Sequence, residues 1–136
     1  MKELITYLNF DGQTRAAMPF YQKSLGGDLM MQSFAEAKMD VPPESKDRII
    51  HAKLTIGSLT LMASDAIQGQ AGPKGENFHI CVICESLEET EKLFNGIGQN
   101  GKVTLPLQDM FWGSRFGMLV DQFGIHWMFN YDKPKS

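Results

Sequence analysis

The chain lacks most of the features that announce a function. No apolar run approaches the roughly 20 residues of a membrane span, and the N-terminal MKELITYLNFDG meets Asn9 and Asp11 before a signal-peptide stretch can form. These absences predict a cytoplasmic protein with no membrane partner. The 13 Lys and Arg are scattered through 136 residues and the net charge is −3, which leaves no basic patch from which nucleic-acid binding could draw its affinity. There is no GxSxG elbow, no HExxH, no Walker loop, and no Gly-rich strand-to-helix turn to hold a nucleotide or S-adenosylmethionine. Cysteine is limited to Cys81 and Cys84. Their CxxC spacing belongs to redox or zinc chemistry when it opens a helix. Here it lies in FHICVIC, a β-branched run, and on a strand residues three apart project to opposite faces. Two unpaired thiols in a reducing compartment are the expectation.

What is present describes one globular domain over residues 1–136, with 43% apolar and 21% charged residues and a length that buries a core without staples. ELITYLNF reads as a strand. A helical stripe of Ala16, Ala17, Phe20, Tyr21, Ser24 and Leu25 then runs to a stop at Gly26-Gly27. DLMMQSFA is the next strand, followed by a charged connection from Glu36 to Arg48, long enough to serve as a mobile lid or dimer arm. IIHAKLTIG and LTLMASD form a hairpin about Gly57-Ser58. After IQGQAGPKGE the order repeats: FHICVIC, the helix SLEETEKLFNGIGQNG with a Ser86/Glu89 capping box, KVTLPLQD, SRFGMLVD, a turn at Gly124, and IHWMFN.

The two halves also correspond in residues. AMPFYQKSLGGDL aligns with TEKLFNGIGQNGKV, and TIGSLTLMA with LVDQFGIHWMF. One βαβββ unit leaves a bare sheet face, and two side by side form a curved mixed sheet whose concave faces close as a cup, with helices outside. The fold class is therefore α+β, with units at about 4–65 and 77–131 joined by a linker at 66–76.

Paired βαβββ halves, the FYQKSLGG helix end, the HAKLTIGSLTLMASD hairpin and the closing FWGSRFGMLVDQFGIHW together resemble the glyoxalase/bleomycin-resistance/dioxygenase group, the vicinal-oxygen-chelate superfamily, and within it the PhnB-like branch. The resemblance runs from about Ile5 to Asn130. It implies a cup, often completed by a homodimer, where a divalent metal binds a substrate through adjacent oxygens. In metal-dependent members the His, Glu or Gln ligands come from the first and fourth strands of each unit. Laid onto this sequence, those positions fall at Ile5 or Thr6, Met62, His79 and Met128. Thioethers and an aliphatic or hydroxyl group do not replace hard ligands for Mg, Mn, Ni or Zn, so the usual metal site reads as lost. No cofactor is expected, and a divalent metal on some other set of ligands is the one group left open.

Strand alternation sorts the remaining side chains. Leu8, Phe10, Ile50, Ala52, Leu54, Ile56, Phe78, Ile80, Val82, Trp127 and Phe129 fall on helix-facing rows. Facing the cup, the ligand-binding candidates are Tyr7, Asn9, His51, Lys53, Met62, Ser64, Asp65, His79, Trp112, Arg115, His126 and Met128. His79 is the catalytic candidate, because an imidazole suits general-base work. Arg115 has two readings, a bidentate clamp for an anion or a salt bridge to Asp109 or Asp121. Phe111 and Trp112 suit a pocket wall or a dimer contact. The expectation is a homodimeric small-molecule-binding protein without the usual metal centre. Two alternatives stand beside it: a lyase, isomerase or oxygenase using His79, and a drug-sequestering resistance protein.

Overall fold

The computed structural model describes Glu3, residues 5–76 and residues 78–134. Leu4, inside the expected first strand, and Asn77, at the expected start of the second half, lie outside the described residues. The chain divides into two compact units, Met1–Pro73 and Lys74–Ser136.

In the first unit the elements are β1 (Thr6–Phe10), α1 (Thr14–Leu25), β2 (Asp28–Ser33), β3 (Ile49–Ile56) and β4 (Leu59–Asp65). They form one sheet in the order β1-β4-β3-β2, with β1 parallel to β4 and the other neighbours antiparallel. α1 buries Ala17, Met18 and Tyr21 completely, an i, i+1, i+4 stripe, against Leu8, Phe10, Ala52, Leu54, Leu61 and Ala63 of the sheet. Each large side chain so removed from water contributes about 1.5–3 kcal/mol. The helix stops where Gly26 turns to φ 79° and donates to Gln22 O. Gly27 follows at φ 91°, its missing Cβ leaving room for Thr55 O, which would lie 2.3 Å away.

The second unit repeats the plan with β5 (Ile80–Ile83), α2 (Leu87–Ile97), β6 (Lys102–Asp109), β7 (Ser114–Val120) and β8 (His126–Asp132), in the order β5-β8-β7-β6. Its buried row joins Leu119, Trp127 and Phe129 to Leu93, Phe94 and Ile97 of α2. The Phe94 and Phe129 rings meet edge to face at 5.6 Å. Ser86 Oγ accepts from Glu89 N at 3.0 Å, as a capping box requires. The return bond goes one residue further back than expected, from Glu85 N to Glu89 Oε1. Gly124, at φ 86°, closes the last hairpin by donating to Asp121 O.

Three core assignments shift. Ala16, expected on the helical stripe, is exposed, and Met18 is buried instead. Ile49, not Ile50, is buried, because a bulge between Gln32 and Ser33 changes the register where β3 begins. Phe78 is 54% exposed, since β5 begins only at Ile80, and Cys84 takes a place in the buried row instead. Cys81 is exposed on the opposite side and both cysteines are free. Desolvation pushes both thiols up, so neither is a poised thiolate.

The Glu36–Arg48 connection is pinned rather than loose. Ser33 and Glu36 exchange backbone-to-side-chain bonds, Phe34 N and Ala35 N donate to Arg48 O and Lys46 O, and Phe34, Val41 and Ser45 are buried. Arg48 then ties the segment to Asp11 at 2.7 Å and to Ala66 O at 2.9 Å.

Candidate functional site

The residues left over from the core lie on the sheet face of each unit that points away from its helix. In the first unit the ladder aligns Tyr7, Met62, Lys53 and Met30 across β1, β4, β3 and β2. The next row places Asn9 beside Ser64 and His51 beside Gln32. Tyr7 and His51 reach each other diagonally across β4: Tyr7 Oη lies 3.0 Å from His51 Nδ1, and the rings stack with centroids 5.9 Å apart.

The second unit carries the matching rows. Cys81, Met128, Met118 and Leu105 align across β5, β8, β7 and β6, and Ile83, Asn130, Phe116 and Gln108 form the row beside them. Because Tyr7 faces Met62 as Cys81 faces Met128, the residue two before each is also equivalent. The first-strand ligand position is therefore Ile5, matched to His79. His79 has the His126 ring for a neighbour, edge on, with centroids 5.3 Å apart.

The ligand set implied by the resemblance can now be read by position: Ile5 and Met62 in one unit, His79 and Met128 in the other. One imidazole, two thioethers and an alkyl group do not fit a hard divalent cation, which takes oxygen or imidazole donors. Among the described residues no three His, Cys, Asp or Glu side chains gather where they could hold a metal ion.

Two expected site residues are placed elsewhere. Asp65 is buried on the helix side, where Oδ1 accepts from Thr14 N at 3.0 Å and Thr14 Oγ at 2.7 Å, and Oδ2 from Ile49 N at 2.9 Å. It fastens the start of α1 to β3 and β4, the job of a capping carboxylate. Arg115 also lies on the helix side, pairing with Asp109 at 3.4 Å and with Glu91 of α2 at 3.8 Å. Of its two readings the salt bridge to Asp109 is the one present. Asp121 is engaged elsewhere, accepting from Phe123 N, Ile125 N and Trp127 Nε1. Lys133 joins Asp109 at 2.8 Å and, as the leading cause, holds its carboxyl below the usual carboxylate range.

The parity of β7 was hidden by Gly117. It occupies a helix-side position with no side chain to show it, because the Phe94 ring and Leu107 would lie 2.9 Å from a Cβ there. Gln32 and Phe116 were missed for this face, though strict alternation from Leu119 would have found Phe116. At the β6–β7 turn, Phe111 is 97% exposed, while Trp112 sits edge-on to it and to Phe116.

A family model described as 3-demethylubiquinone-9 3-methyltransferase matches residues 2–129. The chain belongs to that family. Its fold is that of PhnB-like proteins and of the glyoxalase/bleomycin-resistance/dioxygenase proteins. Protein YjdN of Escherichia coli is 31% identical to this PhnB-like chain, covering 97% of each. The crystal structure of a Pseudomonas aeruginosa protein superposes with a TM-score of 0.89 at 36% identity, covering 98% of this chain and all of that one. At 24% identity, a Bacillus cereus PhnB protein, a putative 3-demethylubiquinone-9 3-methyltransferase by its description, shows the same fold with a TM-score of 0.80, over 96% of this chain and 99% of its own. The turn into α1 is Asp11-Gly12-Gln13, packed by the Arg48 guanidinium, and the Asp65 carboxylate already holds Thr14 N. Ser86 and Glu89 close the start of α2.

Proposed function

We propose that this PhnB-like protein binds a small molecule on its helix-distal sheet faces and works without the superfamily's usual metal centre. The observation that carries the reading is the methionine pair: Met62 and Met128 hold equivalent register positions where metal-dependent relatives need a carboxylate or imidazole. The two faces differ in chemistry: the first unit carries Lys53 and the Tyr7–His51 pair, and in the second Met118, Met128 and Phe116 supply adaptable contact surface. Elemental analysis of protein purified without chelator is the test. The expected result is divalent metal far below one equivalent per chain. One tightly held equivalent that His79→Ala removes would overturn the reading.

The edge contact of His79 with His126 favours a second reading, in which His79 is the general base of a lyase, isomerase or oxygenase. Turnover that disappears in His79→Ala while the circular dichroism spectrum is unchanged would support it over binding alone.

A further inference from the structure

The polar face of the first unit carries more hydrogen-bonding capacity than the fold uses. Among the described residues the side chains of Asn9, Gln32, Lys53 and Ser64 make no hydrogen bond or ion pair, and His51 spends one ring nitrogen on Tyr7. A phenol O–H is a stronger donor than an imidazole N–H, so Tyr7 donates and Nδ1 accepts. With Tyr7 as the donor, the ring's own N–H is at Nε2 and points away from the Tyr7 bond, where it can donate to a ligand.

Two residues further along β3, Lys53 adds an ammonium, and its register partner is Met62. The acid that shares this face, Asp28, stands beside Thr55 at the start of β2, away from the Tyr7–His51 pair. One unpaired cation, an imidazole N–H and three uncommitted polar side chains around a thioether make a surface that selects anionic oxygen on a compact carbon body. The second unit is the internal control. The positions that match Tyr7, Met62, Lys53 and His51 are Cys81, Met128, Met118 and Phe116, none of which carries a cation or an imidazole.

We infer that this face binds the carboxylate of a small organic acid, with Lys53 and His51 Nε2–H as its partners and Met62 against its carbon skeleton. The inference rests on the proposed binding role and names the ligand class for it.

Benzoate and benzamide, equal in shape and different in charge, test it on the full chain carrying 13C-methyl methionine. Benzoate at matched ionic strength shifts the Met62 and Met30 methyl resonances saturably, and benzamide does not. Lys53→Met weakens benzoate binding about tenfold, because it removes a charge-assisted hydrogen bond. Lys53→Arg retains binding, which separates charge from folding, and Tyr7→Phe, which removes the bond to His51 Nδ1, weakens it about threefold. The inference is overturned if Met62 does not move, if benzamide moves it equally, or if a folded Lys53→Met binds benzoate like the parent. These failures differ from failure of the metal-free reading, which would appear as bound metal lost in His79→Ala with the benzoate response at Lys53 unaltered.

Discussion

The two units share a topology and a register, yet their helix-distal faces differ where the first carries its cation and its imidazole. Tyr7, Lys53 and His51 in one become Cys81, Met118 and Phe116 in the other, while Met62 and Met128 stay methionine. The buried rows kept the same apolar logic, with Ala52, Leu54 and Ala63 on one side and Leu119, Trp127 and Phe129 on the other. A βαβββ unit is held by its helix-facing row, so the opposite row is free to change without cost to the fold. What differs between the halves is therefore where specificity can be sought.

The sharpest way to break the likeness is at the helix starts, which the two units secure differently. Asp65→Ala removes the acceptor for three donors in a buried setting. It should destabilise the protein by about 3–5 kcal/mol. Ser86→Ala removes an exposed cap bond and should cost about 1 kcal/mol. Urea unfolding of both variants measures the difference; equal losses would mean that Asp65 is no more than an ordinary cap. A smaller contrast lies at the glycines before the edge strands. A Cβ on Gly27 would sit 2.3 Å from Thr55 O, and on Gly101 2.5 Å from Val120 O, but only Gly27 has a positive φ. Alanine is destabilising at both and worse at Gly27 by about 1 kcal/mol. Thermal denaturation that ranks Gly101→Ala below Gly27→Ala in stability would reverse the argument.

These contrasts mark how far the sequence could be read. The repeat, the order of elements and the rows built on Leu8, Phe10, Trp127 and Phe129 were legible because strand alternation and helical periodicity leave a direct trace in residue type. Asp65 and Arg115 were not. At the end of a strand, a carboxylate aimed at a helix start looks the same in sequence as one aimed at a ligand, and only the partner, Thr14 51 positions away, decides. The Tyr7–His51 bond spans 44 positions and leaves no local pattern either. Long-range polar pairing, unlike burial, has no period.

The smallest expected effect concerns acid. Glu36 is held below the ordinary carboxylate range chiefly by the backbone amide of Ser33, and Asp109 chiefly by Lys133. A carboxyl whose folded pKa is depressed contributes stability that is present above its unfolded value and is lost as pH falls through the folded value. Glu36→Gln should therefore flatten the fall of the thermal midpoint on acidification below the ordinary carboxylate range, and Asp109→Asn should do the same in the second unit. Both groups are exposed, so water screens the effect and it stays near the limit of detection. Because Glu36 accepts from a backbone amide whereas Asp109 faces a mobile ammonium, 1 M salt should erase the Asp109 contribution first. Midpoints recorded against pH at low and high salt decide it, and an Asp109 response that survives salt better than that of Glu36 would refute this account of the two carboxylates.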